Sequence, residues 1–371
     1  MTGKQVHRDS GCERAAGEPC CGKHHKIMEG GIMVTGQAFK NLEQGWLAFR
    51  ERKILLPNIM DEFKASVAGQ NPFAIVVTSA SSPKVTPRIF GQGIGKIFVV
   101  RMDEVDAVGL GSIEYGIRHL KNTEGKPLEL LFVLGASVEE NNRLISQMRK
   151  SKIVSDAIDG KKIELVSSTY ASESGLLSAF PAAKSQAAKL HYANAPAFST
   201  EQLIEELKAG NERFVEGKLR NLNVLYEKPM AVVVMCSDSR MTEYVFDLPI
   251  GGAAVLQVAG NVVTSSMAKT ISQTAKKYGV PVIILGHSKC GAVTAACGKA
   301  HVERDETNII EIAKVLSASV EMGGKDPEVV IPINVKDMVA SFSAYEGMKG
   351  TPVLGAVYDL TSGKVNFLDS A

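Results

Sequence analysis

The chain has 371 residues, room for two or three domains at roughly 150 residues each. Hydrophobic residues make up 45% and charged residues 22%, a balance that excludes disorder over most of the length. The formal charge of +2, from 42 Lys and Arg against 40 Asp and Glu, provides no field that would draw nucleic acid or an anionic membrane.

No apolar run approaches the roughly 18 residues of a membrane-spanning helix; Ala231–Met235 and Pro281–Leu285 have strand length. The first residues are polar, with His7, Cys12, Cys20 and Cys21 where an export signal needs an apolar segment. Six cysteines in a chain of this length are too few for a disulfide framework. They read as thiols or metal ligands in a reducing compartment, and a cytoplasmic location is expected.

In chain order the sequence divides into a Cys/His-containing tail (1–34), a first body (35–180), an Ala/Ser/Pro-rich linker (181–196) and a second body (197–371). The tail also carries His24 and His25, has no hydrophobic period and fits no zinc-finger spacing. Phe39–Phe49 has helical spacing and Pro72–Val77 is a buried-strand run, and a second apolar run ends Phe132-Val-Leu-Gly135. Each recurs in the second body, at Ile204–Phe214, Pro229–Val234 and Ile283–Gly286. Ser199 opens that body as a helix N-cap, with Gln202 in the capping-box position. Both bodies close with Tyr–x4–Gly, at Tyr170/Gly175 and Tyr358/Gly363. Helices alternating with short β-branched runs predict an α/β fold, a mainly parallel sheet flanked by helices in each body. The matched order and spacing point to a tandem duplication.

The second body carries the chemistry. Cys236-Ser-Asp238-Ser-Arg240 directly follows one strand, and His287-Ser-Lys-Cys290 follows another. Loops at the carboxyl ends of strands are where open α/β sheets bind ligands. Two thiolates and one imidazole suit Zn²⁺, and three protein ligands leave a tetrahedral position for water. Cysteines alone are often buried packing residues, but three ligands beside an Asp–Arg pair, all at strand ends, outweigh that reading.

These paired motifs resemble those of the beta-class carbonic anhydrases, C-x-D-x-R followed by H-x-x-C, and the likeness runs over both bodies. The resemblance implies that Cys236, His287 and Cys290 bind zinc while Asp238 and Arg240 form the dyad beside the open position. In some family members the aspartate itself becomes the fourth ligand in a closed state, and for Asp238 that alternative stays open.

The first body lacks the ligand set. In register with Cys236, Asp238 and Arg240 stand Ser79, Ser81 and Pro83; in register with His287 and Cys290 stand Ala136 and Glu139. It keeps other family features: Gln70 before Pro72, Gly95-Lys-Ile-Phe98-Val-Val-Arg101, and Ile113-Glu-Tyr115. In the family, a Gln, Phe and Tyr at these places reach the site from the neighbouring subunit and line its substrate pocket. The zinc-bearing body has Glu227, Ala254 and Gln273 there, and departs again at Gln257 and Val258, where the family has Arg and Asn. The losses are complementary. The resemblance therefore implies an intramolecular pseudo-dimer of two carbonic-anhydrase-like domains with one composite site, walled by Gln70, Phe98 and Tyr115.

The activity so implied is reversible hydration of carbon dioxide to bicarbonate. A hydrolase of carbonyl sulfide or carbon disulfide using the same zinc site is the alternative, and a non-catalytic zinc- or bicarbonate-binding scaffold is a third reading. No nucleic acid or membrane partner is expected, and the chain either stands alone or pairs as a homodimer of pseudo-dimers. Cys297 and His301 are spaced four apart in a stretch that reads as helix, a geometry open to metal pairing, though a buried thiol beside a surface histidine is preferred. His119 and His191 carry no readable signal.

Overall fold

Runs such as Ala74–Thr78 and Ala231–Met235 are buried at every residue, the pattern of strands covered on both faces. The computed structural model describes residues 36–53, 59–80, 84–180 and 190–369. The tail with its cysteines and histidines, most of the linker, and Ser81 and Pro83 lie outside them. The first body contains α1 (Gln37–Arg50), α2 (Ile59–Ser66), β1 (Ala74–Thr78), β2 (Ile97–Arg101), α3 (Ala107–His119), β3 (Leu130–Gly135), α4 (Val138–Met148), α5 (Lys152–Asp159), β4 (Glu164–Ala171) and β5 (Leu176–Leu177). The second contains α6 (Thr200–Val215), β6 (Ala231–Met235), β7 (Ala253–Gln257), α7 (Ser265–Tyr278), β8 (Val282–His287), α8 (Gly291–Ala296), α9 (Thr307–Val315), α10 (Ser317–Met322), α11 (Pro327–Ser343), β9 (Val353–Tyr358) and β10 (Val365–Phe367).

The ten strands among the described residues form one sheet in the order β10-β9-β8-β6-β7-β2-β1-β3-β4-β5. Read inward from either edge, the order is fifth, fourth, third, first, second strand of a body. Pairing is parallel except between β9 and β10, between β4 and β5, and at the seam where β2 meets β7. The seam is a single antiparallel pair, Arg101 opposite Gln257. The α/β class and mainly parallel sheet expected from the alternation of elements are what the chain adopts.

Local signals account for the helix ends. The Ser199 hydroxyl accepts from the Gln202 amide at 3.3 Å and the Gln202 side chain accepts from the Ser199 amide at 2.9 Å, a full capping box that starts α6. Asp106 caps α3 by accepting from Val108 and Gly109, and α7 ends at Gly279 in the left-handed region, φ 65°.

The two bodies interlock. Phe63 of α2 packs edge-on against Phe214 of α6, ring centroids 5.6 Å apart. In the other direction, Leu225 and Ile250 join the core built on Trp46, Phe90 and Phe132. Two glycines permit matching close approaches: a Cβ on Gly45 would lie 1.5 Å from the Phe90 carbonyl oxygen, and one on Gly210 would lie 2.0 Å from that of Phe246. The C-terminal end of the linker is held in the structure, Ala193 donating to Leu225 and accepting from Glu227. No helix among the described residues is long and apolar enough to cross a membrane.

Candidate metal centre

Three neighbouring elements deliver three soft or borderline donors to one point. Cys236 is the first residue after β6, His287 the last of β8, and Cys290 the N-cap of α8. Because β6 and β8 are adjacent and parallel, their carboxyl ends open on the same side. The donor atoms all lie within 4.8 Å of one another, the two sulfurs 3.9 Å apart, and all three residues are buried. Among the described residues no other group of His, Cys, Asp and Glu converges in this way.

The hydrogen bonds fit a metal. His287 Nδ1 lies 2.9 Å from the Ser288 carbonyl, which fixes the proton there and leaves Nε2 as the acceptor facing the thiols. That Nε2 is buried without a hydrogen-bond partner, a costly state for a polar atom unless a ligand takes its lone pair. The Gly260 amide donates to Cys236 Sγ at 3.3 Å. The Cys290 thiol is pulled below its ordinary value, chiefly because Cys236 donates to it, with backbone amides of Val293 and Ala292 also facing its sulfur. Cys236 rises correspondingly.

Asp238 and Arg240 form a bidentate pair, Nε to Oδ1 at 2.8 Å and Nη2 to Oδ2 at 2.7 Å, with the Arg240 amide donating to Oδ1 as well. Burial pushes the Asp238 carboxyl up, but the hydrogen bonds from Arg240 outweigh it and hold the group below its ordinary value. The carboxylate is thus ionised and oriented.

Gln70, Phe98 and Tyr115 of the first body line the same cavity as Cys236 and Asp238, a chamber of about 400 Å³. Gln70 Oε1 accepts from both the amide and the hydroxyl of Ser239, so its amide nitrogen is the end left to donate. Burial, followed by the charges of Asp238, Cys290 and Cys236, pushes the Tyr115 phenol up to about 12, so it is neutral. Tyr115 stacks on His119 at 5.2 Å, and His119 Nε2 meets the buried carboxylate of Glu306 at 2.7 Å. Sequence reasoning missed the remaining wall. Ile309, Ile310 and Ile312 of α9 line the chamber with Ala292 and Ala295 of α8. Ile309-Ile-x-Ile312 was a visible apolar run, but its place depends on α9 packing against α3, where Gly111 leaves room for the Asn308 carbonyl. A larger, shallower groove of about 770 Å³ between α6, α11, β9 and β10 touches none of the site residues.

Among the described residues, the matching positions do not gather a second group of metal-ligating side chains. Ser79 donates to Asp103 at 2.7 Å, and Ala136 and Glu139 are exposed. Glu227 pairs with Lys84 at 2.7 Å, Ala254 is buried in the core, and Gln273 faces outward. One expectation is corrected. Cys297 and His301 do not share a helix, because α8 stops at Ala296 and Gly298 turns the chain at φ 73°. Cys297 is buried, while His301 is exposed and pairs with Glu303.

Residues 231–365 match the carbonic anhydrase family model. Carbonic anhydrase 2 of Mycobacterium tuberculosis is 38% identical over 101 residues, covering 24% of this chain and 49% of that protein. The chain therefore spans about half the length of the curated relatives it matches. Among solved structures, the beta-carbonic anhydrase CafA of Aspergillus fumigatus aligns at 26% identity over 39% of this chain and 78% of that one, TM-score 0.34. The beta-carbonic anhydrase CcaA aligns at 17% identity over 45% and 95%, TM-score 0.36. Cys236, Asp238, Arg240, His287 and Cys290 all fall inside the C-terminal span that matches the carbonic anhydrase family model.

Proposed function

We propose that this chain is a zinc-dependent carbonate dehydratase, catalysing reversible hydration of carbon dioxide to bicarbonate at a single composite site. The observation that carries the reading is the convergence of Cys236, His287 and Cys290 on one buried point, with the ionised Asp238–Arg240 pair bordering the same chamber.

In this reading Cys236 Sγ, His287 Nε2 and Cys290 Sγ hold the ion. When bound, zinc supplies a water of lowered pKa at its open position. Asp238, ionised and oriented, would accept a hydrogen bond from that water and so orient it within the chamber. Arg240 keeps that carboxylate turned and charged; its two-toothed grip favours the open arrangement over Asp238 as a fourth ligand. The free amide of Gln70 donates to a substrate oxygen, and Phe98 and Tyr115 exclude water from the apolar side.

The matched strand order and the twin Gly45–Phe90 and Gly210–Phe246 contacts support a duplication, with copies at 35–180 and 197–371 joined by 181–196. Free thiols at Cys236, Cys290 and Cys297 suit a reducing, cytoplasmic setting. The apolar α9 wall also keeps in view hydrolysis of carbonyl sulfide or carbon disulfide, substrates that ask for few hydrogen bonds.

Stopped-flow assay of zinc-loaded protein tests the proposal. Proton release on mixing with carbon dioxide supports it; sulfide release from carbon disulfide, without carbon dioxide hydration, favours the second reading. One zinc per chain with neither rate would make the chain a scaffold.

A further inference from the structure

The strands β2 and β7 join the two bodies at one pair, Arg101 opposite Gln257, and both side chains are buried. Each side chain reaches the first residue beyond its neighbouring parallel strand. Arg101 Nε donates to the Ser79 carbonyl at 3.2 Å, one residue past β1. Gln257 Nε2 donates to the Cys236 carbonyl at 3.4 Å, one residue past β6, and to the Met241 carbonyl at 3.3 Å. Cys236 and Met241 bracket the segment that carries Asp238 and Arg240, so one amide ties both ends of the metal loop to β7.

The two residues differ in charge, and the surroundings explain why. Glu243 lies 4.0 Å from Arg101 Nη1 across the seam. Glu243 opens a single helical turn, Glu243–Phe246, that follows the capping residue Thr242. The corresponding turn in the first body, Pro87–Phe90, follows Thr86 and opens with a proline. Two acids bear on Arg101, Glu243 and Asp103, and Asp103 already accepts from Ser79, Ala80 and Thr270. A second guanidinium at position 257 would therefore enter the seam beside a cation already removed from water and compete for acids already engaged.

We infer that Gln257 is a positioning residue for the metal loop, and that it is an uncharged amide because the seam accommodates one guanidinium, that of Arg101. The first half of this inference rests on the zinc reading above; the second does not.

The test uses the full chain. Gln257→Met removes the donors while keeping length and burial. The expected result is zinc affinity at least ~10-fold weaker by chelator competition, the scale on which groups behind metal ligands act, and altered visible bands of the cobalt-substituted protein with unchanged far-UV circular dichroism. Gln257→Arg should lower the melting temperature of the metal-free chain, and Arg101→Gln in the same molecule should restore it, a non-additive pair. Wild-type affinity and cobalt spectrum in Gln257→Met would overturn the positioning role. Undiminished stability of Gln257→Arg would overturn the single-cation seam. A wild-type chain that takes up neither zinc nor cobalt would sink the zinc reading and the positioning role together, and the thermal comparison would still decide the seam.

Discussion

The side-chain carbonyl of Gln70 accepts hydrogen bonds from the Ser239 amide at 2.9 Å and the Ser239 hydroxyl at 3.1 Å. A residue of the first body thus holds the turn between Asp238 and Arg240 in the second, while its own amide points away from that turn. Gln70→Ala should leave zinc content unchanged and lower carbon dioxide turnover by about 100-fold, as loss of one donor at a developing negative charge does. Stopped-flow rates with metal analysis on the same sample check both halves. Full turnover in the variant would remove the first body from the chemistry.

Cys290→Ser should cost more than ~100-fold in zinc affinity, beyond what a residue behind a ligand contributes, because a neutral hydroxyl replaces a thiolate. The fold should survive, since Cys290 is an N-cap position that serine fills well. Metal content and circular dichroism measured together decide the matter; a variant still holding one zinc would refute the ligand assignment.

Glu114 is buried against Ser151 and Asn308, and burial raises its carboxyl above the ordinary glutamate value despite those two donors. With the folded value above the unfolded one of about 4.3, the unfolded chain loses this proton first as pH rises. This group therefore subtracts stability as pH climbs from about 4.3 through its folded value, then stays constant. Glu114→Gln keeps an acceptor for both donors and removes that loss. Its stability relative to wild type should improve from pH 4 to pH 7 in urea titrations, and parallel profiles would contradict the argument.

Gly210→Ala should destabilise the chain by about 2 kcal/mol or more, because the added methyl would meet the Phe246 carbonyl at 2.0 Å and backbone must shift. Gly45→Ala should do the same against Phe90. Gly69→Ala is the control: nothing lies within 4 Å of its Cβ, and the change should be neutral or mildly stabilising, by about 0.4–1 kcal/mol. Equilibrium unfolding of the three variants measures the contrast, and equal effects would mean that the close approaches do not matter.

Much of the local structure was legible. The Ser199–Gln202 capping box and the fully buried strand runs follow from side-chain chemistry and period, which act over a few residues. Cys236, Asp238, Arg240, His287 and Cys290 could be picked out because their types and strand-end positions are unusual together. The helix assumed to join Cys297 and His301 failed at Gly298, where a residue free to adopt positive φ ended it.

By itself, the sequence determined the donors, the strands that present them and the absence of a matching set at Ser79, Ala136 and Glu139. The tertiary structure alone decided what surrounds those donors. Gln70 meeting Ser239, α9 supplying three isoleucines, and Arg101 facing Gln257 are contacts between residues more than a hundred positions apart in the first and third cases. Such contacts arise from how two half-sheets meet along one seam. Burial and shape matching set that meeting over the whole interface, and no local pattern encodes it.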